Sequence, residues 1–346
     1  MKRLLALAFA LSFALPCAAQ APADIAAVAQ LRGEARTKAL VEGARRDGEV
    51  MVYHSSQLDD LKPVFDAFTQ KYGVKVRSWR SSSENVVQRV VSETRAGRHE
   101  VDFIENNGPE MEALRRERML RRMDSPRFAD LRPGALPAHR EYVTSTMDVF
   151  VQAYNTEKVR RDELPRTFRD LLDPRWKGRL GIEAEDQAWF GTLLGALGES
   201  EGLKLFADIV AANGISVRKG HTLLANLVAA GEVPLGLTVY NYKPQQLKAK
   251  GAAIDWIVLQ PAIAQLHSVA VHARAPHPNA AMLLYDFFIG EGQSILAARS
   301  FVPASAKVPS PFGDMPVRFI DPPQAIEQQD RWTRLWEETV TKRAGK

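Results

Sequence analysis

Five serines at two predicted strand ends are the first side chains in this sequence that could bind a ligand. Two follow the predicted strand 49–54 and three follow the predicted strand 74–79. One serine at each place would be enough to cap the helix that comes next. Hydroxyl groups and helix N-termini together hold anions. The sequence therefore predicts an anion-binding edge built from Ser55, Ser56, Ser81, Ser82 and Ser83.

Other polar residues lie where predicted strands end or predicted helices begin. We predict that they contact the same ligand, with a structural role for each as the alternative. Two of them, at positions 186 and 222, could act only as helix caps. The group comprises His54, Asn106, Asp186, His221 and Thr222.

Two tyrosines close the predicted strand 233–240. Tyr240 is its last residue, and Tyr242 follows after Asn241. Because side chains two residues apart in a strand point to one face, the two rings are expected on the same side. We predict that both face the ligand, although one of them could belong to the core.

Alternating strands and helices would position these residues. Strands 49–54, 74–79 and 101–104 are separated by segments with apolar residues at helical spacing. This β-α-β order predicts a parallel sheet with right-handed crossovers. In such sheets, loops and helix starts meet at the carboxyl ends of the strands, where ligands bind.

Two segments cross between two such units, near 147–152 and 266–271. A chain of 346 residues also exceeds what one core usually holds. We therefore predict an α/β protein of two hinged lobes, each a mostly parallel sheet flanked by helices. Residues 22–147 and 268–346 are predicted to form one lobe, and residues 148–267 the other.

The N-terminus has the order of an export signal. Lys2 and Arg3 precede an apolar run, and small residues ending at Ala21 follow it. The run is too short for a membrane-spanning helix. We predict cleavage near Ala21 and a periplasmic mature chain, with a lipid anchor at Cys17 as the less favoured alternative.

Composition excludes several classes of protein. Cys17 is the single cysteine, so the mature chain would have neither disulfides nor thiol chemistry. The net charge of +5 is mild and no basic run is concentrated, so nucleic acid is not indicated. No second long apolar segment occurs, and we expect a mature chain that is not inserted in a membrane.

The chain resembles the periplasmic solute-binding proteins of ATP-driven importers, in particular the ferric-ion-binding branch. The resemblance covers most of the chain after about residue 43, and the run at 171–178 is fairly specific. It implies a type II periplasmic binding fold, closure of two lobes over a ligand, and delivery to an inner-membrane permease by a monomer. The matching segments are 52–53 (VY), 87–90 (VQRV), 153–156 (AYNT), 171–178 (LLDPRWKG), 229–236 (AAGEVPLG) and 302–303 (VP).

The resemblance implies ferric ion as one possible ligand. Ferric ion prefers anionic oxygen, which phenolates of Tyr240 and Tyr242 would supply, and coordination would lower their pKa. Glu105 could add a carboxylate, and the serine-rich helix starts could hold a synergistic anion. No other cofactor is implied. The alternative ligand is a small organic anion: a phosphonate, a sugar phosphate or a carboxylate.

Two other classes of function are alternatives to import: an enzyme and a ligand-sensing protein. The sequence lacks the G-x-S-x-G, Walker, H-E-x-x-H and glycine-rich dinucleotide motifs, so we do not expect an enzyme. An exported hydrolase or lyase remains a remote alternative. A ligand-sensing partner of a membrane receptor would use the same two-lobed trap, and sequence does not separate it from an import protein.

Overall fold

The computed structural model describes residues 28, 31, 33–310, 312–313 and 315–344. The predicted export signal and Cys17 lie outside this range. The strands are β1 Glu49–His54, β2 Lys75–Arg80, β3 Phe103–Asn107, β4 Val143–Asn155, β5 Leu180–Glu183, β6 Ser216–Arg218, β7 Leu235–Tyr240, β8 Ile254–Ile257, β9 Ala262–Val271, β10 Val302–Pro303 and β11 Val317–Phe319. Among the described residues, no helix combines the length and apolarity that crossing a membrane requires.

Helices cover both faces of the sheet. The α-helices are α1 Gly33–Asp47, α2 Leu58–Tyr72, α3 Ser83–Arg95, α4 Gly108–Arg116, α5 Gln187–Leu197, α6 Glu199–Asn213, α7 His221–Ala229, α8 Tyr242–Ala249, α9 Pro278–Phe288, α10 Gly292–Ala298, α11 Pro322–Trp336 and α12 Lys342–Ala344. A π-helical turn, Glu337–Thr341, separates the last two, and Phe168–Leu172 forms a 3-10 helix.

One long strand, β4, joins two halves of the sheet. The strand order is β2-β1-β3-β9-β4-β7-β5-β6. Residues 143–149 of β4 pair with β9, and residues 150–155 pair with β7 and β8. We call the β1–β3 side with β9 the first lobe and the β5–β7 side the second lobe. The chain therefore crosses between lobes within the predicted segment 147–152, and hinge motion there stays a prediction.

The parallel pairing follows the predicted alternation. β1 pairs in parallel with β2 and β3, and β5 pairs in parallel with β6 and β7. The helix after β1 ends at Tyr72, and Gly73, with φ of 73°, closes its last turn. Because the connections run through helices, the loops after β1, β2 and β3 meet at one edge of the first lobe.

Each lobe has its own aromatic core. Phe68, Phe103 and Phe288 belong to the first, and Trp176 and Phe206 belong to the second. These side chains are almost fully removed from water, and burial of such rings dominates the free energy of folding. The structure thus has two large aromatic cores, and Tyr242, which follows β7, belongs to the first.

The C-terminal helix α11 contacts both lobes. Trp332 and Trp336 pack into the second core, while Arg116 of α4 pairs with Glu327 at 3.1 Å. Trp332 lies so close to Gly191 that a Cβ on this glycine would fall 2.2 Å from the ring. The predicted lobe boundaries place this segment in the first lobe. Its packing instead favours assigning the residues after about 320 to the second.

Candidate functional site

A cavity of about 600 Å³ lies between the two lobes. The first lobe lines it with the strand exits and helix starts after β1, β2 and β3, and the second lobe with those after β5 and β7. β4 and β9 pass along its floor and contribute Asp148 and His267. We call this cavity the cleft. It is the place where the predicted topology brings polar groups together.

The structure brings nine of the predicted site residues to the cleft: Ser55, Ser56, Ser82, Ser83, Asp186, His221, Thr222, Tyr240 and Tyr242. The Oγ of Ser55 is buried without a hydrogen-bond partner among the described residues, so it is free to donate to a ligand. Both lobes therefore contribute predicted residues to the same cleft.

Three predicted residues support the cleft without lining it. His54 is fully buried and its Nδ1 lies 2.9 Å from the Ser56 carbonyl, and burial lowers its pKa. Asn106 is also fully buried and donates to the Ser83 carbonyl at 3.0 Å. Ser81 accepts from the Asn85 side chain at 3.1 Å. These contacts fix the start of α3 and the loop after β1.

The predicted capping residues need correction. The Oγ of Ser82 accepts a hydrogen bond from the backbone amide of Asn85 at 3.4 Å, so Ser82 is the N-cap of α3. Asp186 precedes α5 but makes no capping hydrogen bond. Thr222 lies inside the first turn of α7, because Gly220, with φ of 105°, occupies the N-cap.

Glu105 is held by four donors. Its Oε1 accepts from the Ser56 hydroxyl at 2.6 Å and lies 2.6 Å from the His267 Nε2. Its Oε2 accepts from the amides of Ser55 and Ser56 at 3.2 and 3.3 Å. Glu105 is predicted as a metal ligand, but protein donors already occupy the acceptor positions of its carboxylate. Its place is the buried support beneath the cleft.

His267 carries the charge that balances Glu105. Burial opposes its protonation, but Glu105 and Asp148 outweigh burial and raise the pKa of His267 to about 10. Although burial alone would raise the pKa of Glu105, His267 and its hydrogen bonds lower it to about 2. On the other side of the ring, Asp148 lies 3.5 Å from Nδ1. The Oδ1 of Asp148 has no hydrogen-bond partner in the described part of the chain.

The second lobe presents a carboxylate–imidazole cluster. Donor atoms of Glu183, Asp186 and His221 all lie within 4.8 Å of one another. The His221 Nδ1 is 3.0 Å from the Thr238 carbonyl, and its Nε2 is 3.4 Å from Asp186. Burial, reinforced by Glu183 and opposed by His221, raises the pKa of Asp186 to about 7. These three side chains can bind a cation or share a proton.

The two tyrosines have different surroundings. The Tyr240 ring contacts the His221 ring, with centroids 3.9 Å apart and planes tilted by 35°. Tyr242 is 6% exposed, belongs to the first core and stacks on Phe301 at 4.1 Å. Their rings lie 6.2 Å apart and nearly parallel, and both phenols lack hydrogen-bond partners within the described residues. Burial raises the pKa of both phenols well above the ordinary value, and nearby carboxylates raise it further.

Acidic groups outnumber basic ones around the cleft. Six carboxylates line it against Arg80, His221 and His267. Burial, and then Glu84, raises the pKa of Glu110 to about 7. Arg80 and the start of α3 form a smaller region of positive potential in the first lobe. The cleft therefore favours a cation on its second-lobe side and accommodates an anion on its first-lobe side. The six carboxylates are Glu84, Glu110, Asp148, Glu183, Glu185 and Asp186.

Sequence reasoning did not identify several of these residues. Asp148 and His267 lie within segments that read as buried crossing strands, and Arg80 ends β2. Glu183, the last residue of β5, and Glu185 belong to a local acidic cluster that the sequence prediction does not assign to ligand contact. A charged residue within a predicted buried strand was the available signal, because such a group needs a partner or a function.

Comparison with known families gives one match, described as "Bacterial extracellular solute-binding protein". It covers residues 110–318, which is more than half of the chain. A Serratia marcescens protein named "Fe(3+)-binding periplasmic protein" is 26% identical over 206 residues. That match covers 59% of this chain and 60% of the Serratia protein.

Two solved structures share the architecture. Iron-bound HitA from Pseudomonas aeruginosa superimposes with a TM-score of 0.71 at 18% identity, over 84% of this chain and 99% of HitA. AfuA from Actinobacillus pleuropneumoniae, with fructose-6-phosphate bound, gives a TM-score of 0.73 at 19% identity, over 85% and 99%. The fold is that of the type II periplasmic binding proteins, as the sequence predicts. The two structures differ in what they hold.

Proposed function

The chain belongs to the bacterial extracellular solute-binding proteins, and from this premise we propose that it captures ferric ion in the cleft for an ATP-driven importer. In this proposal the protein works in the periplasm as a monomer and passes its cargo to an inner-membrane permease. The observation that carries the choice of ion is the unpartnered phenol of Tyr240 beside Glu183, Asp186 and His221.

The charges of the cleft support a cation. Asp148 and Asp186 each keep one buried carboxylate oxygen without a hydrogen-bond partner among the described residues. An unsatisfied buried oxygen is costly, and a bound cation would remove that cost. Ferric ion would also favour the phenolate form of Tyr240, whose pKa is otherwise raised. Hard anionic oxygens are the donors that such an ion prefers.

The first lobe supports an accompanying anion. The Arg80 guanidinium, the Ser55 hydroxyl and the amides at the start of α3 face the cleft opposite the acidic cluster. An anion placed there would complete the coordination of the metal and meet the positive end of the helix. A metal and an anion that together contact both lobes bind the closed form more tightly than the open form. Lobe closure requires this difference in affinity.

The experiment is equilibrium dialysis of chelator-stripped protein against ferric citrate. We expect one iron per chain, with loss of affinity in Asp186→Asn and little change in Asp162→Asn, a substitution at an exposed aspartate far from the cleft. Equal iron retention by both variants, or none by the unaltered protein, would contradict the proposal. Mass spectrometry of periplasmic extracts checks export, since the proposal requires a chain that starts near Pro22.

A small organic anion is the second candidate, and the Arg80 region together with the start of α3 favours it. Calorimetry with fructose 6-phosphate and with citrate, each without metal, tests this alternative. Binding that is lost in Arg80→Gln, combined with no iron in the dialysis experiment, would replace ferric ion by an organic anion. Neighbouring permease and ATPase genes would favour import over sensing by a membrane receptor.

A further inference from the structure

We propose that Glu183, Asp186 and His221 form a half-site in the second lobe that binds a divalent transition-metal ion without the tyrosines. The inference rests on the proposed function, because it uses the same cleft as the capture site. It assigns to these three side chains, which the proposed function places beside Tyr240, a class of metal that they bind without a phenolate. The argument stands on the geometry of each of the three side chains.

His221 is held in the tautomer that metal binding needs. Its Nδ1 lies 3.0 Å from the Thr238 carbonyl, which can only accept, so the Nδ1 carries the proton. The Nε2 of the neutral ring then keeps its lone pair toward Asp186 and the cleft. Metal-binding histidines commonly show this pattern, in which one ring nitrogen donates to a carbonyl and the other binds the ion.

Glu183 is oriented by the backbone. Its Oε1 accepts from the Gly220 amide at 2.7 Å, and its Oε2 accepts from the Glu185 amide at 2.5 Å. A carboxylate oxygen can accept two hydrogen bonds, so each oxygen retains a free lone pair. The amides hold the ionised carboxylate in place without neutralising it, as hydrogen-bonded carboxylate ligands of metals are held.

Asp186 supplies the observation that points to a ligand. The residue is 5% exposed, lines the cleft, and its Oδ2 has no hydrogen-bond partner in the described part of the chain. Its other oxygen lies 3.4 Å from the His221 Nε2, which is longer than the roughly 2.7–2.9 Å of a charge-assisted hydrogen bond. A cation bound between these two side chains would contact both the Asp186 carboxylate and the His221 Nε2.

The donor set indicates the class of ion. One imidazole nitrogen and two carboxylates suit Zn²⁺, Co²⁺, Mn²⁺ or Fe²⁺, whereas Ca²⁺ and Mg²⁺ prefer oxygen alone. All three residues line the cleft, so at least one coordination position would stay open to water or to a bound solute. The cargo class of this half-site is thus a divalent transition metal, alone or carried by a small chelating anion.

The test is titration of the chelator-stripped full chain with Co²⁺, followed by its visible d–d absorption and by competition with Zn²⁺. We expect one equivalent to bind, and His221→Gln to weaken binding by about tenfold or more. His99→Gln is the matched control, because it removes a histidine outside the cleft. Asp186→Asn, which keeps the shape of the side chain, provides a second variant should His221→Gln unfold, as circular dichroism would reveal.

Tyr240→Phe separates this inference from the proposed function. We expect this variant to bind Co²⁺ as the unaltered chain does, whatever it does with ferric citrate. No saturable Co²⁺ binding, or equal affinity in the His221→Gln, Asp186→Asn and His99→Gln variants, would overturn the half-site while leaving ferric capture untouched. Conversely, a protein that binds Co²⁺ but retains no iron in dialysis keeps the half-site and loses the proposed function.

Discussion

The Nε2 of His267 lies 2.6 Å from the Oε1 of Glu105, and this buried pair supports the floor of the cleft. Glu105 is on β3 of the first lobe, while His267 is on β9, which pairs with both β3 and β4. The pair therefore joins β3 to β9, the strand that lies between β3 and β4 in the sheet. Its charge state affects both stability and the position of Asp148.

Replacing His267 by Gln is expected to destabilise the protein most at mildly acidic pH. The folded pKa of about 10 exceeds the ordinary 6.5, so His267 stabilises the fold fully below 6.5 and progressively less as pH rises through 10. Glu105, lowered from 4.5 to about 2, contributes above 4.5 and loses its effect as pH falls through 2. The window of greatest stabilisation is therefore pH 4.5 to 6.5.

Urea denaturation of His267→Gln and the unaltered protein measures this effect. We expect a loss of about 3 kcal/mol inside that window, because breaking a buried pair leaves Glu105 uncompensated. The loss should shrink at about pH 10, where His267 of the unaltered protein is half neutral. An equal loss at both pH values would mean that packing, and not the ion pair, accounts for the effect.

Tyr242 is expected to act mainly through its ring. Its stacking on Phe301 and its place in the first core predict that Tyr242→Ala costs about 3–5 kcal/mol of unfolding free energy. Tyr242→Phe keeps the ring and removes a hydroxyl without a hydrogen-bond partner among the described residues, so its cost should be small. Chemical denaturation compares the two, and similar losses would show that the hydroxyl has a structural role.

Two glycines of α5 form a matched test of how the C-terminal helix packs. A Cβ at Gly191 would fall 2.2 Å from Trp332, whereas at Gly195 nothing lies within 4 Å. Gly191→Ala should cost about 1–3 kcal/mol by overpacking. Gly195→Ala should stabilise the helix by roughly 0.5–1 kcal/mol. Thermal unfolding of both variants measures the difference. An unchanged stability of Gly191→Ala would contradict the observed packing of Trp332 against Gly191.

The sequence predicts the local elements better than the way they meet. Apolar periodicity predicts the strands and helices of the first lobe, and Gly73 ends one of these helices. Both signals can be read from the sequence because each acts over a few residues. The Glu105–His267 pair depends on β9 inserting between β3 and β4, a pairing between segments far apart in the chain. No local pattern encodes that register, so Glu105 was predicted as a ligand and His267 was not predicted at all.

The tyrosines illustrate the same limit. Alternation predicts that Tyr240 and Tyr242 lie on one side of a strand, but β7 ends at Tyr240 and Tyr242 begins α8, with the two rings 6.2 Å apart and nearly parallel. Strand alternation cannot tell that Phe301, from a distant segment, covers Tyr242, while the His221 ring lies tilted against Tyr240. Which of the two rings stands beside the acidic cluster is a property of the packed structure.

The visible spectrum during ferric titration tests the central claim most directly. A phenolate bound to iron(III) gives a charge-transfer band, so we predict that adding ferric citrate to the chelator-stripped protein produces colour that saturates at one equivalent. Tyr240→Phe should abolish or strongly weaken the band, while Tyr72→Phe, at the far end of α2, should leave it intact. A protein that stays colourless, or a band of equal strength in both variants, would contradict capture of ferric ion by Tyr240.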